Sequence, residues 1–285
     1  MGVSAGDRSR PGAQAVTATL TTQFVLSDDE LQVIASRAGI QALPVVLGVR
    51  PQHGTQSALL AAGDHATGVL TDRGLICDGE VLPELVTLLR ALQRPDRELA
   101  MRCVTPDGMA RLAVIRQGKQ CISALRVGTE IALDVADGLP TLAVASQAVL
   151  RQLPASSPAE ILPVGAPLDA ASDALSGTHD AAQLSDRIRA LGADSRTAIT
   201  LGTALATRQA FAEIVYFTLD TDRDRISRCP AAVGVFYTKR GRIVGAPSAS
   251  PNGQVWTTLK PGSDHAIKQA ITQLVELSAG RWEEF

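Results

Sequence analysis

The stretch RELAMRCVTPDGMARLAVIRQGKQCISALRVGTEIALDVA, residues 97–136, carries the clearest fold signal in this sequence: short apolar segments separated by turn residues. The turns are marked by Pro106-Asp107-Gly108, Gly118 and Gly128. Glycine adopts left-handed backbone conformations without strain, and proline and aspartate favour turns. The spacing therefore predicts an antiparallel meander of four strands, near 97–105, 109–116, 119–127 and 129–136.

The residues before this meander predict one strand followed by helices. Alternating apolar and polar residues predict a strand near 16–24. The sequence Ser27-Asp28-Asp29-Glu30 is a capping box, which predicts that a helix begins there, and Gly39 is placed to end it. Further helical patterns occur near 55–73 and 80–92.

The second half of the chain repeats this plan. A helix near 139–153 closes the first unit, and Leu162-Pro163-Val164 then resembles Leu43-Pro44-Val45. The predicted elements that follow are helices near 168–191 and 194–207, the latter capped by Asp194, strands near 210–219, 229–238, 241–247 and 253–259, and a helix from Asp264 to about Ser278, capped by Ser263. Matching elements lie about 115 to 125 residues apart, which indicates an internal duplication.

Runs of antiparallel strands between helices are typical of an α+β fold. We therefore predict an α+β protein in which two quasi-symmetric halves share a central antiparallel sheet with helices packed on it. The predicted domain organisation is a disordered lead at 1–15, followed by a single domain of two pseudo-repeats, about 16–155 and 156–285.

Charge and composition exclude several kinds of partner. With 27 Lys and Arg against 29 Asp and Glu, the formal net charge is -2, so the chain lacks the positive field that attracts nucleic acid. No apolar run approaches the roughly 18 residues of a membrane-spanning helix, and Met1 to Gln14 lacks the apolar core of a secretion signal. We therefore predict a cytoplasmic protein with no nucleic-acid partner and no membrane insertion.

Motifs for catalysis or metal binding do not occur in the sequence. The four cysteines are scattered without CxxC spacing, which predicts reduced core residues and no metal site. The four histidines are far apart, and no phosphate-binding, hydrolase or metalloprotease motif is present. The predictions are therefore no catalytic residues, no metal and no cofactor. Two alternatives to a partner-binding protein remain: a small-molecule enzyme with a cleft between the halves, and a homo-oligomeric scaffold that pairs through exposed strands.

The strands near 119–127 and 129–135 predict a sheet with one face open to a partner. The residues predicted to face inward are Cys121, Ser123, Leu125, Val127, Ile131, Leu133 and Val135. The residues predicted to face outward are Gln120, Arg126, Glu130 and Asp134. A half-polar sheet face that helices leave uncovered offers a surface for another protein.

Several blocks of sequence, in order, resemble the EspG family, the cytosolic chaperones that bind PE/PPE heterodimers before secretion by an actinobacterial ESX (type VII) system. The blocks are Ser27 to Ala38, Leu43 to Pro51, Pro95-Asp96-Arg97, Gly118 to Asp134, and the ending from Gly241 through Trp256, Pro261-Gly262 and Trp282. The resemblance covers nearly all of the chain after the predicted lead. It implies two quasi-symmetric halves around a central sheet, flanked by two helical bundles.

The resemblance also implies a partner and a site. The partner is a PE/PPE heterodimer, held at the apolar helical tip of its PPE subunit, kept soluble and directed to a specific ESX system. The implied partner-binding residues are Arg126 and Asp134 on the sheet, Thr203, Leu205 and Ala206 at the end of the second helical bundle, and Glu213, Val215 and Phe217 on the next strand. On this interpretation Leu205→Arg abolishes complex formation and leaves the fold intact. A contact from the short first hairpin loop and a weak homodimer of the free chain stay undecided.

Overall fold

The computed structural model describes residues 20–220 and 225–284 of the chain. Within these ranges, the first half contains seven strands, four α-helices and a single-turn 3-10 helix at Val45–Leu47. In chain order its strands and α-helices are β1 (Leu20–Ser27), α1 (Asp28–Arg37), α2 (Gln56–Asp72), β2 (Ile76–Cys77), β3 (Glu80–Val81), α3 (Pro83–Gln93), β4 (Arg97–Thr105), β5 (Gly108–Gln117), β6 (Gln120–Val127), β7 (Glu130–Ala136) and α4 (Leu142–Arg151).

The second half, as far as it is described, contains six strands and four helices. These elements are β8 (Val164–Pro167), α5 (Leu168–Leu175), α6 (Ala181–Ala190), α7 (Ser195–Ala206), β9 (Arg208–Asp220), β10 (Arg225–Arg228), β11 (Val233–Thr238), β12 (Gly241–Ala249), β13 (Val255–Pro261) and α8 (Asp264–Glu276). Strand β10 is exposed and pairs antiparallel with the end of β9.

One long antiparallel sheet connects the two halves. Its order is β1-β7-β6-β5-β4-β9-β11-β12-β13-β8, with β10 paired to the end of β9. Strands β4 and β9 meet at the centre, and a five-strand arm extends outward from each of them in matching order. The predicted α+β class with two quasi-symmetric halves is confirmed. The division into pseudo-repeats at about residue 155 stays a prediction.

Helices cover the two faces of the sheet differently. The rear face carries α4, α8 and Trp282, which pack on a buried core that spans both arms. On the front face, a first bundle of α1–α3 packs over β5–β7, and a second bundle of α5–α7 packs over β11–β13. These are the two flanking bundles that were predicted. Between them, none of the α-helices in the described residues packs over the front surface of β4 and β9.

Local sequence signals set many of the element boundaries. The Ser27 hydroxyl accepts a hydrogen bond from the Glu30 N–H at 3.2 Å, and the Glu30 carboxylate accepts one from the Ser27 N–H at 2.6 Å, which is the predicted capping box. Gly118 and Gly128 take left-handed φ angles of +55° and +61° in the two hairpin turns. The predicted caps of α7 and α8 are present at Asp194 and Ser263.

The two Leu-Pro-Val sequences do not occupy equivalent positions, so that part of the predicted duplication is wrong. Val45 begins the 3-10 helix, whereas Val164 begins β8 at the edge of the sheet. The strand that matches β8 in the other arm is β1, because each pairs with the outermost strand of its meander. A short motif cannot distinguish a loop turn from an edge strand, since both are brief, apolar and flanked by proline.

The helical pattern near 168–191 is two helices and not one. Helix α5 ends at Leu175, and α6 begins after the N-cap Asp180. Gly177 between them has φ of +72°, a conformation that interrupts a right-handed helix. At the other end of the chain, the predicted first strand continues to Ser27, while residues 1–19, including the predicted lead, lie outside the described residues.

Candidate functional site

A groove crosses the front of the sheet between the two helical bundles, and we call it the central groove. Its volume is about 420 Å³. Its floor is formed by β4 and β9, and its walls by the segment around the 3-10 helix, the end of α3 and strand β10. The floor residues are Glu98, Ala100, Arg102, Glu213, Val215 and Phe217.

Strand register places these floor residues on one face. Glu98 pairs with Phe217, Ala100 with Val215, and Arg102 with Glu213 across the β4–β9 ladder. Residues directly opposite one another in an antiparallel pair project to the same side of the sheet. The side chains between them, such as Met101 and Ile214, project to the rear face and are fully buried in its core. The floor of the groove therefore follows from the period of two along both strands.

Large apolar side chains stand exposed around the central groove. Val45, at the start of the 3-10 helix, is 92% exposed, and Ile226 on β10 is 53% exposed. Both line the groove. Exposed apolar side chains gathered at a concave surface with a polar rim are typical of a surface that binds another protein.

Two further grooves continue from the central one along the front of the molecule. The first, of about 1270 Å³, extends past Val45 and Arg111 to the exposed residues Met109 and Val127. Asp107 of the short first hairpin loop forms part of its wall. The second, of about 480 Å³, shares Glu213 and Arg228 with the central groove and reaches α5. An elongated partner could therefore contact both bundles and the sheet at once.

The charged side chains at one end of the central groove are already paired with each other or with the main chain. The Glu213 carboxylate lies 3.8 Å from Arg102 Nη2 and 3.7 Å from Arg228 Nη2. Arg111 Nη1 donates a hydrogen bond to the Val46 carbonyl at 3.1 Å and so holds the 3-10 segment against the sheet. The Glu213 pairs are solvent-exposed, so their contribution to stability is small.

Glu98 differs from these other charged residues of the groove because it is buried. Only 7% of it is exposed, and its neighbours across the ladders are the apolar residues Ile115 and Phe217. Desolvation raises the pKa of Glu98 to about 7. A carboxyl group with this pKa is partly protonated at neutral pH.

The comparison with known proteins assigns a family. A model described as the EspG family matches residues 27–273. The chain belongs to the EspG family. This confirms the family predicted from the sequence blocks.

Relatives of this EspG chain include proteins from three mycobacterial species. The ESX-1 secretion-associated protein EspG1 of Mycobacterium tuberculosis is 28% identical over 283 residues, which cover 94% of this chain and 92% of that protein. EspG1 of Mycobacterium marinum is 27% identical over 259 residues, covering 89% and 88%. The ESX-3 secretion-associated protein EspG3 of Mycolicibacterium smegmatis is 26% identical over 266 residues, covering 90% and 88%.

A solved structure supports the fold. It contains the type VII secretion system chaperone EspG5 of Mycobacterium tuberculosis in complex with a PE25–PPE41 dimer. The match has a TM-score of 0.75 and covers 91% of this chain and 98% of that chain, at 17% sequence identity. At this identity, the likeness establishes a shared EspG fold.

Three of the site residues predicted for this EspG chain come together in the structure. Glu213, Val215 and Phe217 all lie half-buried on the floor of the central groove. Sequence reasoning missed the other residues of the groove, among them Val45, Glu98 and Ile226. Val45 and Ile226 carry a weak signal, since each is an apolar residue in a loop or charged stretch with no periodic partner. Glu98 carries none, because its burial depends on strands distant in sequence.

Arg126 was predicted to face outward, and this is wrong. It is buried on the front face beneath the 3-10 segment, where its guanidinium donates to the carbonyls of Leu47 at 2.9 Å and Gly48 at 2.8 Å. It also forms an ion pair with the buried carboxylate of Asp28. Arg126 therefore connects parts of this chain, although it also lines the groove of about 1270 Å³, and its role as a partner contact stays a prediction.

Asp134 lies on the opposite face of the sheet from Arg126. It pairs with Ser123, whose hydroxyl donates to its carboxylate at 3.2 Å. The predicted inward set is likewise divided, because Cys121 faces the rear core while Ile131 and Leu133 face the first bundle. Both faces of β6 and β7 carry buried residues, so alternation does not identify an exposed side there.

The residues predicted at the end of the second bundle do not line the central groove. Leu205 is 1% exposed and packs in the core of that bundle, so Leu205→Arg is expected to disrupt the fold, contrary to the prediction that the fold would stay intact. Thr203 and Ala206 are half-buried on α7. Their role as partner contacts stays a prediction.

Groups suited to catalysis are not assembled in the part of the chain that is described. Cys121 is buried in the rear core, where desolvation raises its pKa to about 12. His53 Nε2 lies 2.9 Å from Asp29 Oδ1 near the start of α1, but no hydroxyl or thiol among the described residues is hydrogen-bonded to His53. That pair has an orienting carboxylate without a nucleophile.

Residues 20–220 and 225–284 contain neither a metal-binding cluster nor a membrane-spanning helix. No group of three or more His, Cys, Asp or Glu side chains there is arranged to hold a metal ion. None of the described helices has the length and apolar character needed to cross a bilayer.

Proposed function

We propose that this protein is a cytoplasmic chaperone that binds a PE/PPE heterodimer, keeps it soluble and directs it to one ESX secretion system. The observation that supports this most directly is the uncovered central groove with Val45 and Ile226 exposed at its edges. Membership of the EspG family gives the groove its context, since the similar EspG5 chain was solved in complex with a PE25–PPE41 dimer. The proposed activity is stoichiometric binding without catalysis.

The physical basis of the proposal is burial of apolar surface. An exposed apolar helix tip on a PPE subunit would aggregate in water, and contact with Val45, Ile226 and Val215 would cover it. Each Å² of apolar surface removed from water contributes about 25 cal/mol before the costs of association are subtracted. Because the groove is already formed in the free chain, little of that gain is spent on ordering it.

The charged side chains at one end of the central groove are proposed to select among partners. Arg102, Glu213 and Arg228 form a charged row at one end of the central groove. A partner that brings a like charge beside one of them would lose affinity, while a neutral or complementary partner would not. This selectivity would assign a given PE/PPE pair to one secretion system.

The proposal is tested by coexpression. The chain is produced with each PE/PPE pair of its source organism, and the products are separated by size exclusion with mass measurement. A complex of one copy each of chaperone, PE and PPE supports the proposal, as does loss of PPE aggregation when the chaperone is present. Absence of any such complex, or a stable homodimer that buries the central groove, would contradict it and favour the scaffold alternative.

A further inference from the structure

Glu98 is a buried carboxyl group without a partner. The other buried charged side chains in the described residues have one: Asp28 pairs with Arg126, Glu30 with Arg73, Arg242 with Asp264, and Arg116 donates to main-chain carbonyls. No described residue forms a hydrogen bond or ion pair with the Glu98 side chain. Burying a charged group without a hydrogen bond or an ion pair destabilises the folded state.

The nearby charges of the groove do not compensate Glu98, because they are engaged elsewhere. The charged groups that face the central groove with it are Arg102 on β4, Arg111 on β5, Glu213 on β9 and Arg228 on β10. Arg102 and Arg228 contact Glu213, and Arg111 donates to the Val46 carbonyl. Glu98 itself lies between the apolar side chains of Ile115 and Phe217. Glu98 therefore contributes to the floor of the groove a carboxyl acceptor that no described residue engages.

An unpaired acceptor on the floor of a docking groove specifies the chemistry of what enters. Ionised carboxylates only accept hydrogen bonds, so the matching group on the partner is a donor. A cationic donor also neutralises the charge, which makes the bond shorter and stronger than one from a neutral donor. Lysine and arginine are the side chains that carry such a donor on a long apolar stem, which can pack against the apolar lining residues Val45 and Val215.

We propose that Glu98 is the specificity-determining anchor of the central groove and receives a lysine or arginine side chain from the apolar end of the docked partner. This inference rests on the proposed function. The apolar contacts at Val45 and Ile226 supply area, and Glu98 supplies a polar contact on the floor that adds to the selection by the charged row of Arg102, Glu213 and Arg228. A partner without a cation at this position leaves the carboxylate buried and unpaired, and binds more weakly.

This assignment has a pH dependence with a definite sign. The bound form requires ionised Glu98, whereas the free protein, with a Glu98 pKa of about 7, is mostly protonated at pH 6 and mostly ionised at pH 8. Apparent affinity scales with the fraction of the chain in the competent state, so we expect binding to be roughly tenfold tighter at pH 8 than at pH 6.

The test compares the wild type with Glu98→Gln, which preserves shape and removes the charge. Dissociation constants for a coexpressed PE/PPE pair of the source organism are measured by calorimetry at pH 6 and pH 8. The matched control is Glu276→Gln, an exposed carboxyl on rear-face helix α8. We expect about tenfold tighter wild-type and Glu276→Gln binding at pH 8, and weaker, pH-independent binding for Glu98→Gln. A carboxyl NMR titration of wild-type Glu98 should show its pKa falling below 6 in the complex.

The outcomes separate this inference from the proposed function. If the wild type binds a pair but Glu98→Gln has the same affinity and pH profile, the inference is overturned and the chaperone function stands. Tighter binding at pH 6 than at pH 8 would also overturn it, because protonated Glu98 would then be the donor. If no PE/PPE pair binds at either pH, the proposed function fails, and the anchor role fails with it. An unchanged Glu98 pKa in the complex contradicts the anchor role without using any variant.

Discussion

Arg126 and Asp28, 98 positions apart in the chain, form a buried ion pair that fixes the first bundle to the sheet. Asp28 is the first residue of α1, and Arg126 is near the end of β6. The same guanidinium donates to two carbonyls at the end of the 3-10 helix, those of Leu47 and the C-cap Gly48. One side chain thus connects a helix start, a groove wall and a strand.

The first prediction follows from this pair. Arg126→Met leaves the Asp28 carboxyl buried and unpaired, so we expect a loss of about 3–5 kcal/mol in the free energy of unfolding. Burial already raises the pKa of Asp28, and Arg126 partly opposes that rise, so the variant should raise this pKa further. Urea denaturation measures the stability loss.

Two comparisons sharpen this test. Adding Asp28→Asn to Arg126→Met removes the orphaned charge and should recover part of the loss, giving a non-additive double-mutant cycle. The matched control Arg189→Met breaks an exposed i,i+3 pair with Asp186 and should change stability by less than about 1 kcal/mol. Additive losses in the cycle would show that the pair itself contributes little.

A second prediction concerns Glu98 in the free protein. Its pKa is about 7 when folded, against an ordinary value of 4.5, so the folded state binds more protons between these pH values. The stabilisation from this group is therefore present at low pH and lost as the pH rises through 7. We expect Glu98→Gln to be more stable than the wild type by about 3 kcal/mol at pH 8, and nearly equal to it at pH 5.

Urea denaturation at the two pH values measures this difference, with Glu276→Gln as the exposed control. The control should show no such pH-dependent gain. Equal stability of wild type and Glu98→Gln at pH 8 would mean that water reaches the carboxyl in the folded state.

The third prediction uses two isoleucines with nearly the same exposure. Ile226 is 53% exposed at the central groove, and Ile199 is 54% exposed on α7 outside every groove described above. Glu substitutions at either position should leave the fold stable because both side chains are largely in solvent. Ile226→Glu should weaken binding of a PE/PPE pair at least tenfold, roughly the effect of placing a charge on an apolar contact. Size exclusion of coexpressed proteins compares the two; equal binding would place the partner elsewhere.

Two helical glycines give a fourth prediction, with opposite signs. A Cβ atom on Gly202 would lie 2.7 Å from the Ser185 backbone nitrogen, so Gly202→Ala should force α6 and α7 apart and cost about 1–3 kcal/mol. Gly68 in α2 has nothing within 4 Å of the same position. Gly68→Ala should raise stability by up to about 1 kcal/mol through helix propensity. Thermal unfolding measures both; a neutral Gly202→Ala would show that the two helices can separate slightly without loss.

Much of the fold could be predicted because local residues determine it. Gly118 and Gly128 mark hairpin turns whose conformation few other residues adopt, and the strands on either side have the predicted bounds to within two residues. Ser27 and Asp194 likewise mark helix starts. The pairing of β4 with β9 could not be predicted, since no local signal specifies which strands of the two meanders meet.

The site was predictable only in part. The period of two along β9 places Glu213, Val215 and Phe217 on one side of the strand. These three predicted site residues therefore all lie on the floor of the central groove. Arg126 was misplaced because a charged residue in a strand usually faces solvent, and the partner that permits its burial, Asp28, is far away in sequence. Glu98 shows the same limit, because its environment is made by Ile115 and Phe217 on two other strands.

The ladder between β4 and β9 runs in register over eight residue pairs, from Arg97 and Thr218 to Val104 and Phe211. This seam joins the halves by main-chain hydrogen bonds along its whole length, and a hinge between the halves would have to break them together. The surface beneath a docked polypeptide is therefore stiff before contact is made. Almost all of the conformational entropy lost on association is therefore lost by the binding partner. Competing partners then differ in affinity mainly through their dissociation rates.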